Sequence, residues 1–156
     1  MKINLDVKSN RPTLIIVGVI VLSFLISLLC FGISYSGKKR TFIFSSVDEG
    51  QHIIETRYLR KSSIEDPINT YVKELLLGPE SERTMSLFSK NTKLLSCFEK
   101  DVVLYVNLSE DMLDLGDNVL PFDEGIKLMI KNIKHNFNGI KTVEIYVDGK
   151  GLYDNY

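Results

Sequence analysis

The chain has 156 residues, with 19 Lys/Arg against 20 Asp/Glu and a formal net charge of −1. That balance hides an asymmetry: residues 1–40 carry six basic residues and one Asp, so residues 41–156 carry a net −6. An acidic segment with no basic run after Arg40 argues against a nucleic-acid partner, because phosphate neutralisation supplies most of that affinity. With one cysteine in the apolar segment (Cys30) and one beyond it (Cys97), an internal disulfide framework and a Cys-rich metal site are excluded.

A short tail, residues 1–12, leads into TLIIVGVIVLSFLISLLCFGISY, Thr13 to Tyr35, which contains no charge. A helix of about 20 such residues crosses a hydrocarbon core of roughly 30 Å. Its backbone polar groups are satisfied within the helix. The sequence therefore predicts a transmembrane signal anchor over residues 13–36. Its length favours an uncleaved anchor over a cleavable apolar region of roughly 7–15 residues. Two other readings are open. Ser34 and Ser36 place small residues at a cleavage site after Ser36. Leu28-Leu29-Cys30 resembles a lipidation site, although Leu29 is larger than the residue usual before the modified cysteine.

Lys2, Lys8 and Arg11 before the segment are balanced by Lys38, Lys39 and Arg40 after it. The N-terminal amine tips the positive-inside count towards a cytoplasmic N-terminus. The remainder would then be extracytoplasmic, on a single span of the cell inner (cytoplasmic) membrane. Residues 37–40 read as a basic juxtamembrane tether, with Lys38, Lys39 and Arg40 at the headgroups.

Residues 41–156 are enough for one small domain. Thr41 to Phe44 reads as a short strand, Ser46 to Gly50 as a turn and Gln51 to Lys61 as a second strand. Asp66-Pro67 is a helix start, with Asp66 as N-cap and Pro67 at the first position. Ile68, Tyr71, Val72, Leu75 and Leu76 then share one face. Gly78 suits a left-handed C-terminal cap and Pro79 a stop. Glu80 to Lys93 is a polar loop around the apolar island Met85-Ser86-Leu87-Phe88, which either enters the core or faces a partner.

Leu94 to Phe98 and Val102 to Leu108 read as a hairpin, turning at Lys100-Asp101. Ser109 could cap a short turn containing Glu110 and Asp111. Leu113 to Pro121 is loop. Phe122 to Phe137 is the second helix, with Ile126, Met129, Ile130, Ile133 and Phe137 as its buried stripe. Asp123 and Glu124 suit its N-terminal dipole. Thr142 to Val147 is a closing strand before an Asp148-Gly149 turn. The order β-β-α-β-β-α-β predicts a two-layer α/β (α+β) domain: a mixed sheet of about five strands, with two main helices on one face.

Chemistry is sparse. His52 and His135 have no second histidine at ligand spacing, and Cys97 in an apolar strand reads as an inert thiol. No Gly-rich phosphate loop follows a strand. The acidic residues Glu110, Asp111, Asp114, Asp117, Asp123 and Glu124 lack EF-hand spacing and read as a solvated loop and helix start. Asn107-Leu108-Ser109 is a glycosylation sequon of accidental type. No catalytic, cofactor or metal residue is assigned. The candidate interface is Met85, Leu87 and Phe88, with Glu144 and Tyr146 on a closing strand that could lie at a sheet edge.

Several segments in order resemble the GerMN domain family of spore germination and sporulation proteins. Glu74 to Pro79, ELLLGP, is similar to its "eLLxGP" signature through Leu75, Leu76, Gly78 and Pro79. Thr92 to Ser96, with Leu94 and Leu95, is similar to "gTkLLs". Val103 to Ser109, LYVNLS in its core, with Val106 and Leu108, is similar to "vyVdls". Val143 to Lys150, with Val147, Asp148 and Gly149, is similar to the closing "VDGk". Phe44 to Arg57, with an acidic-Gly turn and Glu55-Thr56-Arg57, also fits the family's opening. Ser89-Lys90-Asn91 departs from the family's usual Pro-x-Gly. The resemblance implies a membrane-attached extracytoplasmic α/β domain without catalytic residues, scaffolding envelope proteins or self-associating. Alternatives are a small-ligand or glycan sensor beside a membrane partner and, less favoured, an envelope hydrolase using residues 110–124.

Overall fold

The structure, a computed structural model, describes residues 11–34, 37–48, 50–60, 64–114 and 116–152. Most of the N-terminal tail, Ser36 of the alternative cleavage site, Glu49 of the first turn, Lys61 of the second strand and Leu115 of the acidic loop lie outside the described residues. Two units divide between Ser36 and Gly37. The first contains the helix α1 (Arg11–Ser34). Within it, Pro12–Gly32 is long and apolar enough to cross a membrane. Pro12 sits in the first turn, where its missing N–H costs no hydrogen bond.

The second unit opens with strand β1 (Gly37–Ser46), which pairs antiparallel with β2 (His52–Arg60) from Gly37↔Arg60 to Ser45↔His52 without a bulge. This corrects the reading of residues 37–40 as a tether. Lys38 and Lys39 are exposed on the strand, but Arg40 is only 8% exposed. Its guanidinium lies 4.0 Å from the centre of the Phe137 ring and donates to the Asn136 carbonyl at 2.6 Å. Burial lowers its pKa, partly offset by Tyr71. A guanidinium held this way is part of the fold and not a headgroup contact.

Helix α2 (Pro67–Leu76) forms as its sequence dictates. The Asp66 carboxylate accepts the Ile68 N–H at 2.8 Å, and Pro67 occupies the first turn. Gly78 ends it at φ +85°, a conformation that costs other residues steric strain. The five expected apolar residues are all buried. The following loop contains β3 (Thr84–Met85), which adds to β1 through Ser45↔Met85 and Ser46↔Thr84.

Strands β4 (Leu94–Lys100) and β5 (Val103–Leu108) form the expected hairpin, with a bulge at Leu95. A 3-10 turn, Glu110–Leu113, follows; Ser109 stands before it but makes no side-chain cap. Helix α3 (Phe122–Asn136) then crosses to β6 (Thr142–Val147), which runs parallel to β5. The short β7 (Lys150–Gly151) turns back on Tyr146 and Val147.

The class is α+β, as the sequence indicates, and the expected element order is present with the two-residue strands β3 and β7 added. The strands, however, form two sheets, β2-β1-β3 and β4-β5-β6-β7, where one of about five strands was expected. The reason lies at the free edge of β1. Beyond β3, that edge is occupied by side chains of α3. The Asn132 amide accepts the Ile43 N–H at 2.7 Å and donates to the Ile43 carbonyl at 2.8 Å. One turn on, Asn136 accepts the Thr41 N–H at 3.0 Å and donates to the Thr41 carbonyl at 2.7 Å. Two carboxamides thus supply the donors and acceptors of a missing strand, which buried backbone groups require.

The Tyr71 hydroxyl ties α2 into this clamp. It donates to the Thr41 carbonyl at 2.9 Å and accepts from Asn136 at 2.9 Å. Its ring stacks on Phe42, centroids 4.7 Å apart. Both sheets and both domain helices share one core that includes Phe42, Phe44, Tyr71, Leu75, Leu104, Val106, Met129 and Ile133. Gly125 of α3 lets the helix close on the 80–93 loop, since a Cβ there would collide with the Leu87 carbonyl oxygen.

Candidate functional site

The motif segments meet in pairs at the joints of the fold. Arg57 of β2 reaches the end of α2, donating to the Gly78 carbonyl at 2.8 Å and, weakly, to the Glu74 carbonyl at 3.4 Å. Glu55 holds that guanidinium at 2.6 Å and accepts the Glu80 N–H at 3.1 Å. The Arg57 guanidinium lies 4.8 Å from the centre of the Phe42 ring. Glu55-Thr56-Arg57 and ELLLGP therefore form one clamp on the C-terminus of α2, satisfying carbonyls that the helix leaves open. Leu75 and Leu76 fill the core beneath it.

A second joint links Thr92–Ser96 to the end of β5. The Ser109 N–H donates to the Lys93 carbonyl at 3.0 Å, and the Lys93 N–H donates to the Ser109 hydroxyl at 3.0 Å. Thr92 is buried, Leu94 is half-buried against the core, and Leu95 projects outward at the bulge. A third joint holds the Val147-Asp148-Gly149 turn. The Asp148 N–H donates to the Leu108 carbonyl at 2.9 Å and the Gly149 N–H to the Asn107 side chain at 3.0 Å. Val106 and Leu108 are fully buried below it. Asn107, the sequon residue, is committed to this turn.

The candidate interface residues separate. Leu87 and Phe88 are 1% and 3% exposed and belong to the core, which corrects their reading as partner-facing. Met85 is half-buried against the same core. The island is drawn inward because β3 and the bridge between Ser86 and Val119 fix the loop across the opening between α3 and β1. The closing strand β6 is not a bare edge. One side pairs with β5, and β7 covers Tyr146 and Val147 on the other. Thr142 to Glu144 is the stretch of β6 that β7 leaves uncovered.

Glu144 and Tyr146 do share a surface, the outer face of the second sheet. The register Phe98↔Tyr105, Tyr105↔Glu144 and Asn107↔Tyr146 aligns the alternate residues of three strands there. Phe98, 55% exposed, stacks on Tyr105 with centroids 5.1 Å apart and planes 13° apart. Tyr146 lies 6.4 Å beyond, its hydroxyl donating to Glu144 at 3.1 Å. Ser96, Asn107 and Gly149 join the three rings around an open cleft of about 360 Å³. Phe98 and Tyr105 were not singled out from sequence. The available signal was their period-two spacing on a hairpin whose other face is apolar.

Acid–base or nucleophilic machinery is not assembled among the described residues. His52 and His135 are exposed on β2 and α3, and no three His, Cys, Asp or Glu side chains converge as a cation site. The Asp111 carboxylate accepts from Ser109 at 2.9 Å. Burial, reinforced by Asp66, pushes the Cys97 thiol up to about 12, the opposite of what activates a nucleophile.

The described residues 37–152 form an α+β domain whose motif segments close its joints, and an apolar helix precedes it in the chain. Residues 41–153 match the sequence profile of the Germane family, described as "Sporulation and spore germination". The chain belongs to that family. It is 25% identical over 114 residues to an uncharacterized lipoprotein of Treponema pallidum, covering 73% of this chain and 85% of the relative. The fold is similar to the tandem GerMN domains of the sporulation protein GerM from Bacillus subtilis (TM-score 0.58, 17% identity, 74% of this chain). The chain spans 40% of that two-domain structure. It also matches the first GerMN domain of the same protein (TM-score 0.50, 16% identity), covering 72% of this chain and 85% of that one.

Proposed function

We propose that this protein is a non-catalytic, membrane-anchored extracytoplasmic interaction domain of a bacterial cell-envelope complex. In this reading residues 13–36 are the single-pass anchor in the inner membrane. The folded unit docks an envelope protein through the outer face of the β4-β5-β6 sheet. The observation that carries it is the Phe98–Tyr105–Tyr146 row, an aromatic stack with Phe98 exposed and both tyrosines half-buried, on a domain whose motifs are otherwise spent on holding the fold. Aromatic residues are enriched where interfaces concentrate their binding energy.

The test is crosslinking of the tagged chain in intact cells, with recovery of what copurifies. A defined set of envelope proteins, lost on Phe98→Asp with Tyr105→Ser while the domain stays folded, supports the reading. An unchanged set with these variants refutes the surface. Protease added to spheroplasts should remove the domain, and protection there would overturn the orientation. A second reading, a small-ligand or glycan sensor, is favoured by the cleft among the same rings, whose size falls in the range of ligand pockets. A thermal shift with envelope-derived saccharides, abolished by Tyr146→Ala, separates it from protein docking.

A further inference from the structure

We propose that strand β2 pairs with β2 of a second copy of this chain, antiparallel about a two-fold axis through Thr56, joining the two three-stranded sheets into one of six. Strand β2 is the outer strand of its sheet, with β1 as its one strand neighbour among the described residues. It is nine residues long, in unbroken register with β1, and contains no Pro, Gly or Lys. Bulges, prolines and lysines are usual guards of an edge, as are inward-pointing charges; the inward charges of β2, Glu55 and Arg57, are paired with each other and tied to the end of α2. The other sheet's outer strand, β4, has two of these guards, a bulge at Leu95 and Lys100 at its end. Ile54 and Tyr58 on β2 are 66% and 68% exposed.

The sequence of the strand, HIIETRYLR, complements itself. A two-fold axis at Thr56 sets Ile54 against Tyr58, Thr56 against Thr56 and His52 against Arg60 on the exposed face. On the inner face it sets Ile53 against Leu59 and Glu55 against Arg57. Aromatic–β-branched, Thr–Thr and opposite-charge pairs are those that stabilise directly opposed positions. The neighbouring registers do not work. Centring the pair on residue 55 or 57 opposes two glutamates or two arginines, and like charges directly opposite are destabilising. A slip by one residue moves every side chain to the wrong face. A two-fold axis makes the contact isologous, so it closes as a dimer and does not propagate.

The experiment uses the full chain in native membranes, with Cys30→Ser and Cys97→Ala, single cysteines added on β2, and mild oxidation. Opposed Cα atoms in an antiparallel pair lie about 4.5–5.5 Å apart, within the span of a disulfide. Thr56→Cys is therefore expected to give a covalent homodimer. Ile54→Cys and Tyr58→Cys are each expected to stay monomeric alone, since each would lie roughly 13 Å from its own copy along the strand. Co-expressed with different tags, those two are expected to crosslink to each other. Thr56→Lys should abolish the dimer while leaving the fold intact. The proposal is overturned if Thr56→Cys crosslinks no more than Lys127→Cys on the exposed face of α3. It is overturned equally if Ile54→Cys alone crosslinks as well as Thr56→Cys, or if Thr56→Cys is captured by a different protein.

Discussion

Replacing Asn132 with Ala removes the side chain that stands in for a strand along β1. Asn132 is fully buried, and Ile43 and Tyr71 around it are 7% and 0% exposed. The variant strands two backbone groups, the Ile43 N–H and carbonyl, which lose partners at 2.7 and 2.8 Å. A buried polar group left unpaired costs about 1–3 kcal/mol. The pair therefore costs about 4 kcal/mol, reduced by about 0.5 kcal/mol for the better helix propensity of Ala. Small domains hold about 5–15 kcal/mol in total, so the loss is a large share of the stability. With a urea slope of about 2 kcal/mol/M, the midpoint should fall by about 1.5–2 M. Urea titration followed by the near-UV CD of the tyrosines reads this directly. Asn136→Ala strands only the Thr41 N–H, since the Thr41 carbonyl keeps the Tyr71 hydroxyl as donor, and the site is half-buried, so it should cost about half as much or less. A loss below about 1 kcal/mol at Asn132, or a larger loss at Asn136, would refute the account of α3 as a surrogate strand.

Two other perturbations follow from backbone and burial. Asp101 and Val102 both adopt left-handed conformations, φ 49° and 63°, in the β4–β5 turn. That geometry costs an L-residue about 1–2 kcal/mol and suits Gly in a type I′ turn. Val102→Gly should raise the urea midpoint by about 0.5 M, after roughly 0.5–1 kcal/mol is returned to unfolded-chain entropy; a lowered midpoint would sink the argument. Alkaline pH should also destabilise the domain. Burial raises the pKa of Tyr71, partly offset by Arg40 and Arg57, and pushes Cys97 up to about 12. Each group is neutral when protonated, so the unfolded chain releases its proton first as pH rises. The stability is complete below the unfolded values, near 9 for the thiol and 10 for the phenol, and falls as pH climbs towards the raised folded values. Urea midpoints should decline from pH 9 upward, and Cys97→Ala should flatten the first part of that decline. A flat profile to pH 10.5 would contradict the burial of both groups.

What was legible from the sequence was local. The N-cap at Asp66, the glycine stop at Gly78, the apolar stripe of α2 and the alternation in β5 each follow from chemistry within a few residues. The ordered motifs carried the family as well, and in this chain they fall at the three joints of the fold. The sequence by itself thus determined the apolar helix, the α+β class, the element order and most of the core. Only the tertiary structure decided that the strands split into two sheets, that Arg40 is buried in β1, and that Leu87 and Phe88 point inward. It also decided that Phe98, Tyr105 and Tyr146 form one surface. The physical reason is common to all four. Which edge a strand leaves open, and what fills it, depends on partners far away in the chain. Asn132 and Ile43 are 89 positions apart, and no periodicity in either segment announces that a helix will complete a sheet.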